Sequence, residues 1–181
     1  AGDVATVLDW LHQSLPRFLP NGTELLEAQG HAQPLATGVS DQPTLEFMTS
    51  CCRFLRNAAP GEPDAAAAAI SHPASLLLLR SAASPRLLQG GGDAWDACVS
   101  LYIRVALQAL CNLLSAGGCE GEAADALWAA GMSDAFRAVL TTAAMRQDDA
   151  LAGNCVAFAF ALLRAECLAA PPSPVPRLTA L

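Results

Sequence analysis

The stretch from Arg104 to Leu114, RVALQALCNLL, decides the fold, because apolar residues recur through it every three or four positions. That spacing predicts a long helix with one buried face. Gln108 and Asn112 stand one turn apart within it, although asparagine disfavours helix interiors because its amide competes for backbone hydrogen bonds. Asn57 closes CCRFLRN, part of a second predicted helix, in a similar setting. The recurrence indicates a repeated structural unit.

The composition is that of an acidic globular chain. Of 181 residues, 53% are hydrophobic and 15% are charged, which suits one domain with a substantial core. All of the 10 basic residues are arginine, and the 17 acidic residues give a net charge of -7. Proteins that bind nucleic acid or anionic membranes usually present a basic surface, so we expect neither partner.

The mean hydropathy of +0.34 raises the question of a membrane span. The most apolar stretch, CVAFAFALL (155–163), is bounded by Asn154 and Arg164. It is far shorter than the roughly 20 residues that a spanning helix needs. We therefore predict a buried helix there and no membrane span.

The 7 cysteines are odd in number and fall mostly within apolar helical stretches. Free cysteine behaves there as a small hydrophobic residue, so we expect reduced thiols and a cytoplasmic location. The side chains of Cys51 and Cys52 diverge on a helix and cannot converge on one metal ion.

Helical character extends along almost the whole chain, and convincing strand alternation is absent. Proline and glycine mark the breaks, for example at Pro60-Gly61 and Gly117-Gly118. The predicted helices cover about 3–15, 23–29, 43–58, 63–70, 74–82, 93–116, 121–130, 133–146 and 149–168.

These helices recur as a unit: a long helix, a Pro/Gly break, a short alanine-rich helix and another apolar helix. Asn57 and Asn112 end the long helices of two units and lie 55 positions apart (112 − 57), an interval lengthened by the glycines at 90–92. Helical arrays have periods of about 40–47 residues. A third unit starts at Gly131. Such units must stack to bury their apolar faces, so the pattern predicts an all-α solenoid.

Four segments carry a resemblance to a known family: FLRNA (54–58), ALQALCNLLS (106–115), ALWAAGMSDAFRAVL (126–140) and DDALAGNCVAFAFALL (148–163). Their order and spacing resemble the ataxin-10 family, and more broadly armadillo-like repeats. The resemblance implies a right-handed superhelix of stacked helical repeats. It also implies a cytoplasmic, non-enzymatic protein with family roles in cytokinesis and at the centrosome or cilium base.

With that resemblance, the chain divides into three predicted regions. Residues 1–42 hold N-terminal helices that form a cap or a preceding repeat, and residues 43–170 hold the armadillo-like repeats. Residues 171–181 form a Pro-rich tail or linker, because PPSPVPR cannot be helical. The missing initial Met and the apolar C-terminus suggest a fragment of a longer repeat protein.

In armadillo repeats, the last long helix of each unit lines a concave groove. The resemblance therefore places one polar face of each long helix where it can contact an extended partner segment. Glu46 and Thr49 are assigned to that face. The predicted partner-binding residues are Arg53, Asn57, Arg104, Gln108 and Asn112.

A simpler role for the asparagines stays open. Asn57 and Asn112 lie near helix ends, where their side chains can satisfy backbone carbonyls of the following turn, and most side-chain hydrogen bonds go to backbone or water. Peptide-binding armadillo proteins carry tryptophan where this chain has Arg53 and Gln108, and FAFALL (158–163) in the third unit has no asparagine. A groove for nuclear-import peptides is therefore not expected.

The last predicted helix is apolar around nearly its full circumference, which is typical of a buried helix. At the end of a stack, its exposed part would need cover from a further repeat or from a second copy of the chain. The predicted apolar interface comprises Val156, Phe158, Phe160 and Leu162. We expect self-association through this end.

No catalytic, phosphate-binding or metal-binding motif is present, so the sequence favours a non-enzymatic scaffold with protein partners and no cofactor or metal. The alternative is an armadillo-type chaperone cofactor or nucleotide exchange factor that grips a globular partner.

Overall fold

The computed structural model describes residues 2–15, 42–61, 63–82, 93–116, 136–137, 139–141 and 147–168. In these ranges all regular structure is helical, which confirms the all-α class. Residues 136–137 and 139–141 are helical, and a 3₁₀ turn spans Ala59–Gly61. The α-helices are α1 (Gly2–Ser14), α2 (Gln42–Ala58), α3 (Pro63–Ser71), α4 (Pro73–Ala82), α5 (Asp93–Ser115) and α6 (Asp149–Leu168).

The six helices match the predicted ranges to within one or two residues at each end. The predicted helices at 23–29 and 121–130 lie outside the described residues, as does the Pro-rich tail at 171–181. Of the predicted helix at 133–146, only residues 136–137 and 139–141 are described, and they are helical.

Two helix starts show why the boundaries are readable. His72 precedes Pro73, and its Nδ1 accepts a hydrogen bond from the backbone N–H of Ala74 at 3.1 Å. Asp148 precedes α6, and its Oδ1 accepts from the N–H of Leu151 at 2.9 Å. Each side chain satisfies a donor that the first helical turn leaves free, and proline at the first helical position sacrifices no hydrogen bond.

Helix α5 lies at the centre of the fold and contacts α2, α3, α4 and α6. Its apolar stripe, which includes Val99, Ile103 and Leu110, is fully buried. Tyr102 is also fully buried, and its hydroxyl lies 2.6 Å from that of Ser81 on α4. A buried phenol hydroxyl needs a hydrogen-bond partner, and Ser81 supplies it for Tyr102, the one tyrosine in the chain.

Helices α2 and α5 run in the same direction. Cys52 lies near enough to Tyr102 to influence its pKa, Arg56 reaches Gln108, and Ala59 and Leu113 line one apolar recess. The contacts therefore advance together along both helices. Parallel neighbours need a crossover connection, which α3 and α4 supply between them.

Helix α1 packs against α2 and α4 and shares their core. Its residues Leu8, Leu11 and Leu15 are buried in the same hydrophobic cluster as the rest of the molecule. On the outside of this junction the Trp10 and Phe47 rings lie 4.1 Å apart, centroid to centroid, and both are partly exposed.

Among the described helices, Asp93–Ser115 is the one that is long and apolar enough to cross a membrane, by length and composition alone. The sequence instead singled out residues 155–163 as the most apolar stretch. More than half of the apolar window of α5 is buried inside the chain, and the core helix of a soluble protein passes the same test.

Candidate partner-binding surface

Three polar side chains join the three long helices. Arg56 of α2 donates from Nη1 to Gln108 Oε1 of α5 at 2.8 Å, and Gln108 Nε2 donates to Asn154 Oδ1 of α6 at 2.9 Å. Asn154 in turn donates to the Ala150 carbonyl of its own helix at 2.7 Å. Both polar ends of the Gln108 amide are therefore occupied, one by each neighbouring helix, and the amide fixes α5 between them.

The amide nitrogen of Asn112 neither points to an open groove nor bonds the turn after its own helix, the two roles that the sequence suggested. This Nδ2 atom donates to the backbone carbonyl of Arg56 at 2.7 Å, across the interface between α5 and α2. Arg56 lies in the last turn of α2, where carbonyls lack partners within their own helix. Asn112 therefore caps the C-terminus of the neighbouring helix, not the turn that follows its own.

The predicted partner-binding residues separate into two groups. Gln108 and Asn112 are half-buried and hold helices together through the hydrogen bonds to Asn154 and to the Arg56 carbonyl. Arg53 and Asn57 are exposed on α2, and Arg104 is half-exposed on α5 with its Nε bonded to the Ser100 carbonyl at 3.2 Å. The second group leaves polar atoms accessible to another molecule.

Thr49 does not lie on the exposed polar face that helical spacing predicts for it. It is buried, and its hydroxyl donates to the Leu45 carbonyl one turn earlier at 2.8 Å. Threonine can bury itself in a helix in this way because its hydroxyl finds a backbone acceptor. Glu46 is exposed, and its Oε1 accepts a hydrogen bond from Gln42 at 2.8 Å.

Sequence reasoning missed Arg56 and Asn154, two of the three members of the bridge. Asn154 precedes FAFALL, the segment of the predicted third unit that corresponds to the asparagines of the other two predicted units. A signal was present, since Gln108 and Asn154 are 46 positions apart, within the repeat period of about 40–47 residues. Arg56 had no comparable signal, because it is an ordinary residue for the last turn of a helix.

The predicted apolar interface on α6 is divided between two faces. Phe158 and Leu162 are 0% exposed, and the Phe158 ring lies 6.1 Å from that of Phe136. Val156 and Phe160 are 67% and 70% exposed. Phe158 and Leu162 therefore belong to the chain's own core. Val156 and Phe160 face solvent, and they are the pair available to a partner.

The described thiols are free, and burial controls their chemistry. Burial raises the pKa of Cys111 to about 12 and that of Cys155 to about 11. It also raises the pKa of Cys51, and raises that of fully buried Cys52 further. The thiolate is the reactive form of cysteine, so these four side chains are poor nucleophiles and poor metal ligands at neutral pH.

In the part of the chain that the structure describes, no group of three or more His, Cys, Asp or Glu side chains could hold a metal ion. The apolar recess lined by Leu55, Ala59 and Leu113 leaves no room for a water molecule.

Comparison with known proteins gives no further identification: no family model, no curated protein and no solved structure matches this chain.

Proposed function

We propose that the chain is an armadillo-like scaffold that binds protein partners on the exposed face shared by α2, α5 and α6. The observation that carries this proposal is the bridge Arg56–Gln108–Asn154, which aligns the three long helices side by side. A layer of aligned long helices with one uncovered polar face is the kind of surface that helical-repeat proteins use for binding.

The spacing of the bridge supports a repeated architecture. Gln108 Oε1 accepts a hydrogen bond from the preceding long helix, α2. Asn154 Oδ1, 46 positions further on, accepts one from its own preceding long helix, α5. Helices α2 and α5 run parallel with two shorter helices between them, an arrangement that fits three-helix repeat units. The same order of elements led to the solenoid prediction from the sequence.

The ataxin-10 resemblance extends the proposal to biology. It suggests a cytoplasmic protein with a scaffold role in cytokinesis or at the centrosome or cilium base. A non-enzymatic role is favoured by the buried thiols, whose raised pKa values make them poor nucleophiles.

Site-specific photo-crosslinking tests the proposal. A photoreactive phenylalanine analogue is placed at Asn57 or Ser115, both exposed on the shared face, and at Asp64 on α3 as a matched exposed control. In native lysate we expect the same defined protein adducts from the first two positions and none from the third. Equal labelling at all three positions, or no adduct at any of them, would contradict a binding role for this face.

A further inference from the structure

Arginines and carboxylates are segregated on the shared face. Arg53 and Arg56 lie in the C-terminal half of α2, three residues apart and therefore on one side of it. Arg104 lies one turn before Gln108, the residue that accepts the hydrogen bond from Arg56. Neighbouring helices pack about 8–10 Å apart, so the three arginine positions lie around one region of this face, which we call the arginine patch.

The arginine patch has no internal counter-charge in the described part of the chain. Arg53 is exposed and has no polar partner there. Among the described residues, the Arg56 guanidinium bonds only the amide oxygens of Asn57 and Gln108, and that of Arg104 bonds only a backbone carbonyl. A chain with a net charge of -7 has many carboxylates, but none of those in the described ranges is paired with these three arginines.

The acidic residues of these helices whose side chains the structure describes lie elsewhere. Asp93 and Asp96 occupy the first turn of α5, and Asp149 occupies the first turn of α6, where negative charge stabilises the helix dipole. Glu46 is two turns before Arg53 and is engaged by Gln42. The dipole also accounts for Arg56 in the last turn of α2, but it does not account for Arg104 in the middle of α5.

We infer that the occupant of the arginine patch is an acidic, extended segment of a partner protein. Guanidinium groups bind carboxylates through paired hydrogen bonds, which gives geometric specificity as well as attraction. The Asn57 amide nitrogen and the Asn112 Oδ1, which has no partner among the described residues, lie beside the patch and offer a donor and an acceptor for the segment's backbone. This inference rests on the proposed function and specifies the chemistry of its partner.

Fluorescence anisotropy with short labelled peptides tests the inference on the full chain. We expect a Glu-rich peptide to bind, with affinity that falls as salt rises, and we expect Lys-rich and Gln-rich peptides of the same length not to bind. Arg53→Glu combined with Arg104→Glu should lower the affinity for the Glu-rich peptide by about tenfold or more. Each substitution replaces a charge-assisted hydrogen bond with charge repulsion. Arg137→Glu, which reverses an exposed arginine outside the long helices, is the matched control and should leave binding unchanged.

Several results would overturn the inference. The first is absence of Glu-rich peptide binding, and the second is equal weakening by Arg137→Glu. Tighter binding of a single-stranded oligonucleotide than of the peptide would indicate a phosphate-binding surface. Substitution of Glu120→Gln, Glu122→Gln and Asp125→Asn removes three acidic charges of this chain. Peptide affinity that rises after these substitutions would indicate that this chain's own acidic segment occupies the patch. Dissociation of an oligomer by the charge reversals would indicate a second copy.

The two proposals fail in different ways. If crosslinking at Asn57 captures a partner whose binding is insensitive to Arg53→Glu and Arg104→Glu, the shared face binds proteins but the partner segment is not acidic. If no partner crosslinks at Asn57 or Ser115, the proposed function itself fails.

Discussion

Asn112 shows how one side chain can connect two helices that are distant in sequence. Its amide donates to the Arg56 carbonyl at the end of α2, 56 positions away. Asparagine lowers the stability of α5, because it is a poor residue for a helix interior. Its hydrogen bond stabilises the end of α2 instead, so helix propensity alone does not explain why it is there.

Removing this contact should destabilise the fold. We expect Asn112→Ala to lower the free energy of unfolding by about 1–2 kcal/mol, because a partly buried carbonyl loses its donor. Urea denaturation monitored by circular dichroism measures the change. Asn57→Ala is the matched control: Asn57 is exposed and, among the described residues, its side chain bonds only Arg56, so its loss should change stability by less than about 0.5 kcal/mol. Equal changes in the free energy of unfolding for the two substitutions would show that the hydrogen bond from Asn112 does not stabilise the fold.

The buried thiols predict the alkaline limit of stability. Both folded and unfolded chains keep these thiols protonated below the ordinary pKa of 9.0, so stability is unaffected there. Above it the unfolded chain ionises while the folded chain does not, because burial raises the pKa of Cys155 to about 11 and of Cys111 to about 12. Stability should therefore fall as pH rises from about 9 through these values.

The pH dependence of the thermal midpoint tests this prediction. Cys155→Ala removes one of the titrating groups, so its midpoint should fall less steeply between about pH 9 and 11 than that of the unaltered chain. The comparison uses slopes, since the substitution also lowers stability at neutral pH by leaving a small cavity. Parallel curves for the two chains would contradict the assignment.

In helix α6, two phenylalanines only two positions apart differ sharply in exposure. Phe158 is fully buried, whereas Phe160 is 70% exposed, because positions two apart on a helix point in very different directions. Phe158→Ala should lower the free energy of unfolding by about 3–5 kcal/mol. Phe160→Ala, the same substitution on the same helix, should change it by less than about 0.5 kcal/mol.

Chemical denaturation of both α6 variants provides the measurement. A similar loss of stability in each would mean that Phe160 is also covered, for example by a second copy of the chain. In that case, the loss caused by Phe160→Ala should diminish as the protein is diluted.

The helices were predictable from sequence because their boundaries depend on local chemistry. Pro73 after His72 and Asp148 before α6 act within one turn of themselves, so spacing alone located both starts. The lateral contacts were not predictable in the same way. Arg56 meets Gln108 only after the chain has passed through α3 and α4, and helix periodicity does not specify which residues of two faces meet.

Periodicity also overstated the exposure of some residues. Helical spacing from Glu46 and Arg53 predicts Thr49 on the polar face, but its hydroxyl is satisfied within α2 and its position faces the core. Phe158 and Leu162 were grouped with Val156 and Phe160 because all are apolar. Residue type therefore predicted the helix, while packing decided which side of it was available.

For the whole molecule, the exposed pair Val156 and Phe160 predicts association between copies. Large apolar side chains at a helix surface mark interfaces. We expect sedimentation velocity to show concentration-dependent self-association, reduced by Val156→Ser combined with Phe160→Ser. Glu46→Ser, which alters an exposed residue on α2, is the control and should leave association unchanged. A strictly monomeric protein across the accessible concentration range would contradict this prediction.

The cap that Asn112 places on α2 has a consequence for cooperativity. A shortened chain ending at Ala82 would contain every residue of α2 but neither the donor for the Arg56 carbonyl nor the apolar cover from α5. The amide protons in the last turn of α2 would then exchange with solvent through local fraying, well before global unfolding. The end of α2 is therefore completed by α5, so a piece of the chain that folds with α2 intact must extend beyond Ala82 to include α5.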